Sequence, residues 1–265
     1  MDTDIAAVPR RRPWPLCRPC CCVALDLGSA RTRAWVAGRG LVLDVPTVTF
    51  PGAVHPVRRG DIVDVPGAAR MIDRLVGRRL PRLTRPLVVI TAPVLSGPGH
   101  RERVRAAVRV LRPRSVLTVP GARGVALAAD ADLSLPLLVV DIGAQLIEVV
   151  LLVDGAVFDA RRTSLGTADL GDGVAPADLA GTVVTMIDSM LRQDPTTLVA
   201  EALGRGALLA GGGALRPDLV HRLTRELHSP LWPVPAPHTA AIRGAARILR
   251  SAHAHPSTGA APRPV

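Results

Sequence analysis

Hydrophobic and polar positions along the chain follow two different periods. Short runs rich in Val, Leu and Ile have the length of buried strands, whereas longer stretches repeat apolar residues at helical spacing. The runs that predict strands are 23–27, 87–91, 115–119, 137–141 and 149–153. The stretches that predict helices are 67–79, 99–111, 176–192, 215–227 and 238–250. Strands that alternate with helices indicate an α/β architecture.

One segment of the chain is repeated. VALDLG at 23–28 recurs as LVVDIG at 138–143, an offset of 115 residues, and the same offset relates Gly40 to Gly155. Each copy has the pattern of a strand, an Asp-x-Gly turn, a strand, a turn with glycine and a third strand. Two such copies predict a duplicated fold with two similar halves.

The two turns have residue types that suit phosphate groups. Glycine lets backbone N–H groups approach an anion without a Cβ in the way. Asp26 and Asp141 end their strands, and carboxylates there can hold a hydrated Mg²⁺. A third glycine segment, LAGGGAL at 209–215, reads as a strand, a triple glycine and a helix start, which also suits an anion.

The amino-acid composition of the chain argues against a nucleic-acid partner, despite its positive charge. Its 33 basic and 22 acidic residues give a formal net charge of +11, and every basic residue is Arg. The absence of Lys, Asn and Tyr beside abundant Ala, Gly, Pro and Val is typical of a GC-rich genome. Aromatic residues, which stack on bases, make up 2% of the chain. We therefore expect no nucleic-acid partner, and consider an acidic protein or an anionic membrane surface instead.

Neither a membrane span nor a disulfide framework is predicted. The longest apolar candidate, 133–153, is interrupted by Asp141 and Glu148, short of the about 18 residues of a transmembrane helix. The cysteines cluster near the start of the chain, so they cannot staple distant segments, and no second Cys or His pair completes a zinc site. These are Cys17, Cys20, Cys21 and Cys22, whose function stays open. We expect a reduced, cytoplasmic chain, with membrane association as an option.

Four segments divide the chain. Residues 1–22 are predicted to be a basic, Cys- and Pro-rich arm, and 252–265 a disordered tail. Residues 23–136 form the first half and 137–251 the second. The last helix of the second half can pack back across the boundary onto the first.

These motifs, in this order, resemble the ATPase fold of actin, Hsp70 and sugar kinases, and the residues between them are similar to the MreB/Mbl family of bacterial actins. DLGSART at 26–32 is similar to the family's first phosphate loop, DLGTANT, and 209–215 is similar to TGGGALL. VRRGDIVD at 57–64 and PHTAAIRG at 237–244 resemble its MKDGVIAD and PLTCVARGGG. The similarity covers about residues 23–250.

The resemblance implies ATP with Mg²⁺ as the ligand of a cleft between the halves. Asp26 and Asp141 would hold the metal through water. The nucleotide-binding residues that the resemblance implies are Asp26, Gly28, Ser29, Ala30, Arg31, Thr32, Asp141, Gly143, Gly211, Gly212, Gly213, Ala214 and Leu215.

Two segments of the family pattern are missing. Family members carry an outer subdomain, IB, where this chain has only 47–56, and a second, IIB, where 171–173 runs almost directly into the helix 176–192. The predicted fold class is therefore an α/β, actin-like duplicated fold whose outer subdomains IB and IIB are reduced or missing.

The catalytic residues of the family are also altered. Its second phosphate loop, DIGGGTTE, reads DIGAQLIE at 141–148, where Gln145 and Leu146 occupy space that phosphates need. The Glu that positions the attacking water corresponds to Val119, so no catalytic residue is expected. Loss of such a group typically lowers the rate by about 10²–10⁴.

Two functions are compatible with these residues. The first is a cytoskeletal accessory in cell-shape or cell-wall morphogenesis with weak or absent ATP hydrolysis, whose partner is a full-length bacterial actin or a wall-synthesis complex. The alternative is an active ATP-binding bacterial actin that polymerises in response to nucleotide. A sugar kinase or chaperone of the same fold is disfavoured because no substrate domain remains.

Overall fold

The computed structural model describes residues 21–49, 54–81 and 85–254. The arm residues 1–20, with Cys17 and Cys20, and the tail residues 255–265 lie outside this part. Within it, no helix is long and apolar enough to cross a membrane.

Strands and helices alternate as the hydrophobic pattern predicts. The strands are β1 Cys22–Leu27, β2 Arg31–Val36, β3 Gly40–Pro46, β4 Val57–Arg58, β5 Asp61–Ile62, β6 Leu87–Ala92, β7 Ser115–Pro120, β8 Leu137–Ile142, β9 Ile147–Val153, β10 Ala156–Thr163, β11 Ala207–Ala210 and β12 Leu231–Pro233. The helices are α1 Val65–Leu75, α2 His100–Val108, α3 Gly121–Ala128, α4 Pro176–Gln193, α5 Leu198–Arg205, α6 Pro217–Leu227 and α7 Ala240–Ala254.

Two five-stranded sheets have the same topology. Their orders are β3-β2-β1-β6-β7 and β10-β9-β8-β11-β12. In each sheet the first three strands form an antiparallel meander and the last two join in parallel. The offset of 115 residues that relates Asp26 to Asp141 carries β1 onto β8. Gly40 and Gly155 both have positive φ, 77° and 68°, at the second hairpin turn of their sheets, a conformation that favours glycine.

Each sheet is covered on both faces. Helices α1 and α2 pack on the outer face of the first sheet, and α4, α5 and α6 pack on the outer face of the second. The inner faces are covered by an exchange of helices. Helix α3 follows the first sheet but packs on the second, whereas α7 follows the second sheet and packs on the first.

The two exchanged helices cross at a pair of glycines. A Cβ built on Gly244 of α7 would overlap the carbonyl oxygen of Gly124 in α3. A Cβ on Gly124 would lie 2.6 Å from the carbonyl oxygen of Ala241. Main chain therefore touches main chain at this crossing, and neither position has room for a side chain.

Several element bounds differ from the sequence prediction. Helices α1 and α2 end earlier than predicted, at Leu75 and Val108, and each is followed by a short 3₁₀ turn. The sequence did not predict α3, because Gly121 and Gly124 lower its helix propensity. Helix α7 continues to Ala254, past the boundary set for the tail.

We predict that Gly244→Ala lowers the free energy of unfolding by about 1–3 kcal/mol, since the added methyl group must separate α7 from α3. Urea unfolding followed by circular dichroism measures the change.

The matched control is Gly181→Ala in α4, where a Cβ meets nothing within 4 Å. That substitution should stabilise the protein by about 0.5–1 kcal/mol, because alanine is the better helix former. Equal effects of the two substitutions would contradict the close crossing.

Candidate functional site

A cleft of about 290 Å³ lies between the two sheets, at the carboxyl ends of β1, β6, β8 and β11. Crevices at these strand ends are the usual ligand sites of α/β folds. Both Asp-x-Gly turns contribute to it, so the two copies of the repeat face one another. The sequence-predicted residues that line the cleft are Asp26, Gly28, Ser29, Ala30, Arg31, Asp141, Gly143, Gly211 and Gly212.

Four predicted residues do not line it. Thr32 is 1% exposed, and its hydroxyl lies 2.9 Å from that of Thr47 behind the first loop. Gly213 and Ala214 are buried, and Leu215 faces solvent.

The triple glycine is needed for close packing. Gly211 has φ of 81°, and a Cβ on Gly213 would overlap the side chain of Ile142 in β8. The segment Gly212–Leu215 is a 3₁₀ turn. The sequence predicted that the helix begins at 215, but α6 begins at Pro217, because the glycine turn must first cross the end of β8.

The two aspartates of the cleft have different surroundings. Asp26 accepts a hydrogen bond from the hydroxyl of Thr91 at 2.7 Å through Oδ1. Its Oδ2 lies 3.3 Å from Nη1 of Arg33. Asp141 keeps part of its surface toward the cleft, but the surrounding protein desolvates it. Desolvation, with the negative charge of Asp26 as a smaller cause, raises the pKa of Asp141 to about 6.

Glu148 is a buried acid beside this pair, 7% exposed. One carboxylate oxygen accepts a hydrogen bond from the backbone N–H of Val94 at 2.8 Å. Desolvation, followed by the charge of Asp141, raises the pKa of Glu148 to about 7. The second half therefore places two acids, Asp141 and Glu148, opposite each other, whereas the first half pairs Asp26 with Arg33.

The difference between the halves follows from the repeat. Arg33 lies directly opposite Asp26 across the β1–β2 hairpin, and Glu148 lies directly opposite Asp141 across β8–β9. The two positions are related by the same offset of 115 residues. Neither Arg33 nor Glu148 was predicted as a site residue, although extending the repeat by five residues identifies both.

Gln145 and Leu146 contact the opposite half. The side-chain oxygen of Gln145 accepts a hydrogen bond from the backbone N–H of Arg59 at 3.1 Å. Leu146 packs over Gly60, leaving no room for a Cβ on that glycine. Arg162 donates to the carbonyl oxygen of Arg59 at 2.6 Å. We call these contacts between the β4–β5 hairpin and the second half the clasp.

Further bonds of Arg59 extend the clasp. Its guanidinium donates to the carbonyl oxygen of Ser164 and lies 3.6 Å from the carboxylate of Asp169. The hairpin is anchored on its own half because Asp61 accepts hydrogen bonds from Arg103 and pairs with His100 of α2. The halves are thus joined through protein groups on the phosphate-loop side of the cleft.

Val119 lies on β7 beside Thr91 of β6. Its side chain packs against the cluster that joins β1 and β6 to α7, and it is not among the lining residues of the cleft. The position that the resemblance aligns with a carboxylate is apolar and packs toward α7.

The described side chains fit a divalent cation poorly. Both oxygens of Asp26 already face donors, and the guanidinium of Arg33 supplies positive charge between the strands. Across 21–49, 54–81 and 85–254 there is no group of three or more acidic, His or Cys side chains that could hold a metal ion. Glycine backbone in the cleft still suits an anionic group.

We predict that the raised pKa of Glu148 makes the protein less stable as pH rises. From its ordinary 4.5 to about 7, the folded chain holds a proton that the unfolded chain has released, so the free energy of unfolding falls across that window. Glu148→Gln keeps an acceptor for Val94 but removes the charge. At pH 8 it should be more stable than the wild type by on the order of 3 kcal/mol.

Urea unfolding between pH 4.5 and 8 measures this difference. Glu226→Gln on the exposed side of α6 is the control and should retain the slope of the wild type. An unchanged slope in Glu148→Gln would show that Glu148 does not carry the effect.

Comparisons with known proteins agree with this architecture. A family model described as MreB/Mbl protein matches residues 173–257. The cell shape-determining protein MreB of Escherichia coli (strain K12) is 22% identical over 328 aligned positions, covering 88% of this chain and 94% of that protein. MreB of Salmonella typhimurium gives the same values. Because 328 exceeds the 265 residues of this chain, MreB has segments without a counterpart here.

Solved structures share the fold at low identity. MreB5 of Spiroplasma citri bound to ADP has a TM-score of 0.77 at 16% identity and covers 91% of this chain and 99% of its own. MamK in a double helical filament has a TM-score of 0.73 at 14% identity, with 87% and 98% covered. The predicted fold class, a duplicated actin-like α/β fold with reduced outer subdomains, is confirmed. The chain therefore has the actin-like fold, is similar to MreB over most of its length, and matches the MreB/Mbl family model over residues 173–257.

Proposed function

We propose that this chain is a cytoskeletal accessory in cell-shape or cell-wall morphogenesis that hydrolyses ATP slowly or not at all. The observation that carries the proposal is the identity of the residues on the phosphate side of the cleft. Gln145 and Leu146 line that side and bind the opposite half, and Val119 stands where a carboxylate would position water. The site thus keeps the framework of a nucleotide cleft without its hydrolytic groups.

A nucleotide is the ligand that the cleft suits best. The similar MreB5 of Spiroplasma citri has been solved with ADP and with AMPPNP bound. In this chain the corresponding phosphate would lie between the turns at Gly28 and Gly143, with Gly211 and Gly212 on the remaining side. The volume of about 290 Å³ lies just below the range of typical ligand pockets, about 300–1,000 Å³. We keep ATP as the proposed ligand and place the division between the halves at residues 136 and 137.

The proposed partner is a full-length bacterial actin or the wall-synthesis complex, in the cytoplasm and near the membrane. MamK is recorded as a double helical filament, so a chain of the same fold can join a polymer. Missing outer segments reduce the surface for self-association, and a net charge of +11 repels identical copies while favouring acidic partners or anionic lipid.

We predict that the purified chain does not hydrolyse ATP above the background rate. Val119→Glu alone should not restore turnover, because Gln145 and Leu146 still occupy the phosphate side and position 119 faces α7. Phosphate release over several hours, with and without Mg²⁺, provides the measurement. Turnover like that of an active bacterial actin, abolished by Asp141→Ala, would instead favour the alternative of an active polymerising ATPase.

We also predict that localisation depends on a full-length actin. A fluorescently tagged copy should lose its pattern in cells that lack that actin, and the pure protein should stay in the supernatant on ultracentrifugation with Mg·ATP. Each lost contact of about 1.4 kcal/mol weakens an interface tenfold. Patterned localisation without the actin, or abundant filaments from the pure protein, would reject the dependence.

A further inference from the structure

We propose that Arg33 takes the place of a divalent cation in this cleft, so that a phosphate-bearing ligand binds there without metal. The ligand part of this inference rests on the proposed nucleotide cleft. The part that concerns metal rests on Arg33 and its neighbours alone.

The guanidinium of Arg33 lies beside Asp26, one of the two carboxylates that were expected to hold a hydrated cation. Asp26 and Asp141 end equivalent strands and line one cleft, an arrangement that suits Mg²⁺ and its waters. Arg33 lines the same cleft, and its Nη1 lies 3.3 Å from Asp26. Its Nε lies 3.3 Å from Asp44. A permanent positive charge therefore already stands among these carboxylates.

The surroundings hold this side chain in place. It is 11% exposed, and its position on β2 is set by strand register opposite Asp26. Arg31 binds the other oxygen of Asp44 at 2.5 Å, and Thr91 binds the other oxygen of Asp26 at 2.7 Å. A cation entering the pair would have to displace a guanidinium of like charge, which repels it at close range.

The second half offers no replacement site. Glu148, at the position equivalent to Arg33, is buried and bound by the N–H of Val94. Its carboxylate lies opposite Asp141. In the described part of the chain, no third acidic, His or Cys side chain joins these two to form a metal site. The repeat thus has a cation at one equivalent position and an acid at the other.

Arg33 also has the chemistry to bind phosphate. A guanidinium is always charged and carries five N–H donors in a planar fork that matches phosphate oxygens. The contacts to Asp26 and Asp44 involve Nη1 and Nε, so the fork has capacity beyond them. The class of ligand is a nucleoside di- or triphosphate, bound through its phosphates as the metal-free anion.

The first experiment tests whether the cleft binds a divalent metal ion in the absence of nucleotide. Mn²⁺ is titrated into the wild type, Arg33→Met, Arg33→Lys and the surface control Arg39→Met, and free Mn²⁺ is measured by electron paramagnetic resonance. Wild type, Arg33→Lys and Arg39→Met should show no site in the cleft, whereas Arg33→Met should gain one that Asp141→Asn removes. A Mn²⁺ site in the wild type that Asp141→Asn abolishes overturns the proposal. If Arg33→Met does not fold, that wild-type comparison still decides it.

The second experiment uses ATP as the probe, by calorimetry in EDTA and in Mg²⁺. The wild type should bind with dissociation constants that agree within about threefold, whereas Arg33→Met should lose at least tenfold in EDTA and recover part of it in Mg²⁺. A tenfold loss in wild-type affinity on adding EDTA overturns metal-free binding. If ATP binds in neither condition, the nucleotide part of the proposed function fails, and the Mn²⁺ titration still decides the role of Arg33.

Discussion

The contact of main chain with main chain at Gly124 and Gly244 is the constraint on which the remaining structure depends. It lets α3 and α7 cross closely enough for each to cover the sheet of the other half. The inner face of each sheet is buried by a helix that comes from the other half. The inner cores of the two halves are thus joined through this pair of helices, and the cleft lies where the halves meet.

The cleft shows how a duplication acquires different chemistry on its two sides. The backbone of the two hairpins is the same, and Asp26 and Asp141 occupy the same register. Seven residues on, one copy has Arg33 and the other has Glu148. One aspartate is therefore paired with a cation, while the other shares a desolvated site with a second acid and has a raised pKa. Opposite residues at one repeated position set the electrostatics of the whole site.

The second Asp-x-Gly loop has a structural role because it contacts the opposite half. Gln145 and Leu146 depart from the family pattern at positions where a phosphate would lie, and both contact the β4–β5 hairpin. Arg59 and Arg162 add bonds across the same gap. The clasp joins the two halves by direct contacts between protein groups. A phosphate bound between two loops would join them in a similar way.

The sequence by itself determined the duplicated halves and the turns. Strand runs, Asp-x-Gly turns and the glycines at 40 and 155 are local signals, and an offset of 115 residues relates them without knowledge of contacts. The same repeat placed Asp26 and Asp141 in one site. Gly211 and Gly213 were recognised, although their role in packing against Ile142 was not.

Only the tertiary structure decided how the halves join and how the cleft is charged. Helix α3 covers the second sheet through a close approach to α7 between residues 120 positions apart, and no local period records it. The sequence places Thr32 in the first phosphate loop. In the structure its side chain turns away from the cleft, because its hydroxyl forms a hydrogen bond with that of Thr47, which is distant in sequence. The clasp and the ion pairs of Arg33 likewise join side chains from separate strands and loops. Their energies depend on burial and distance, which exist only once the chain has folded.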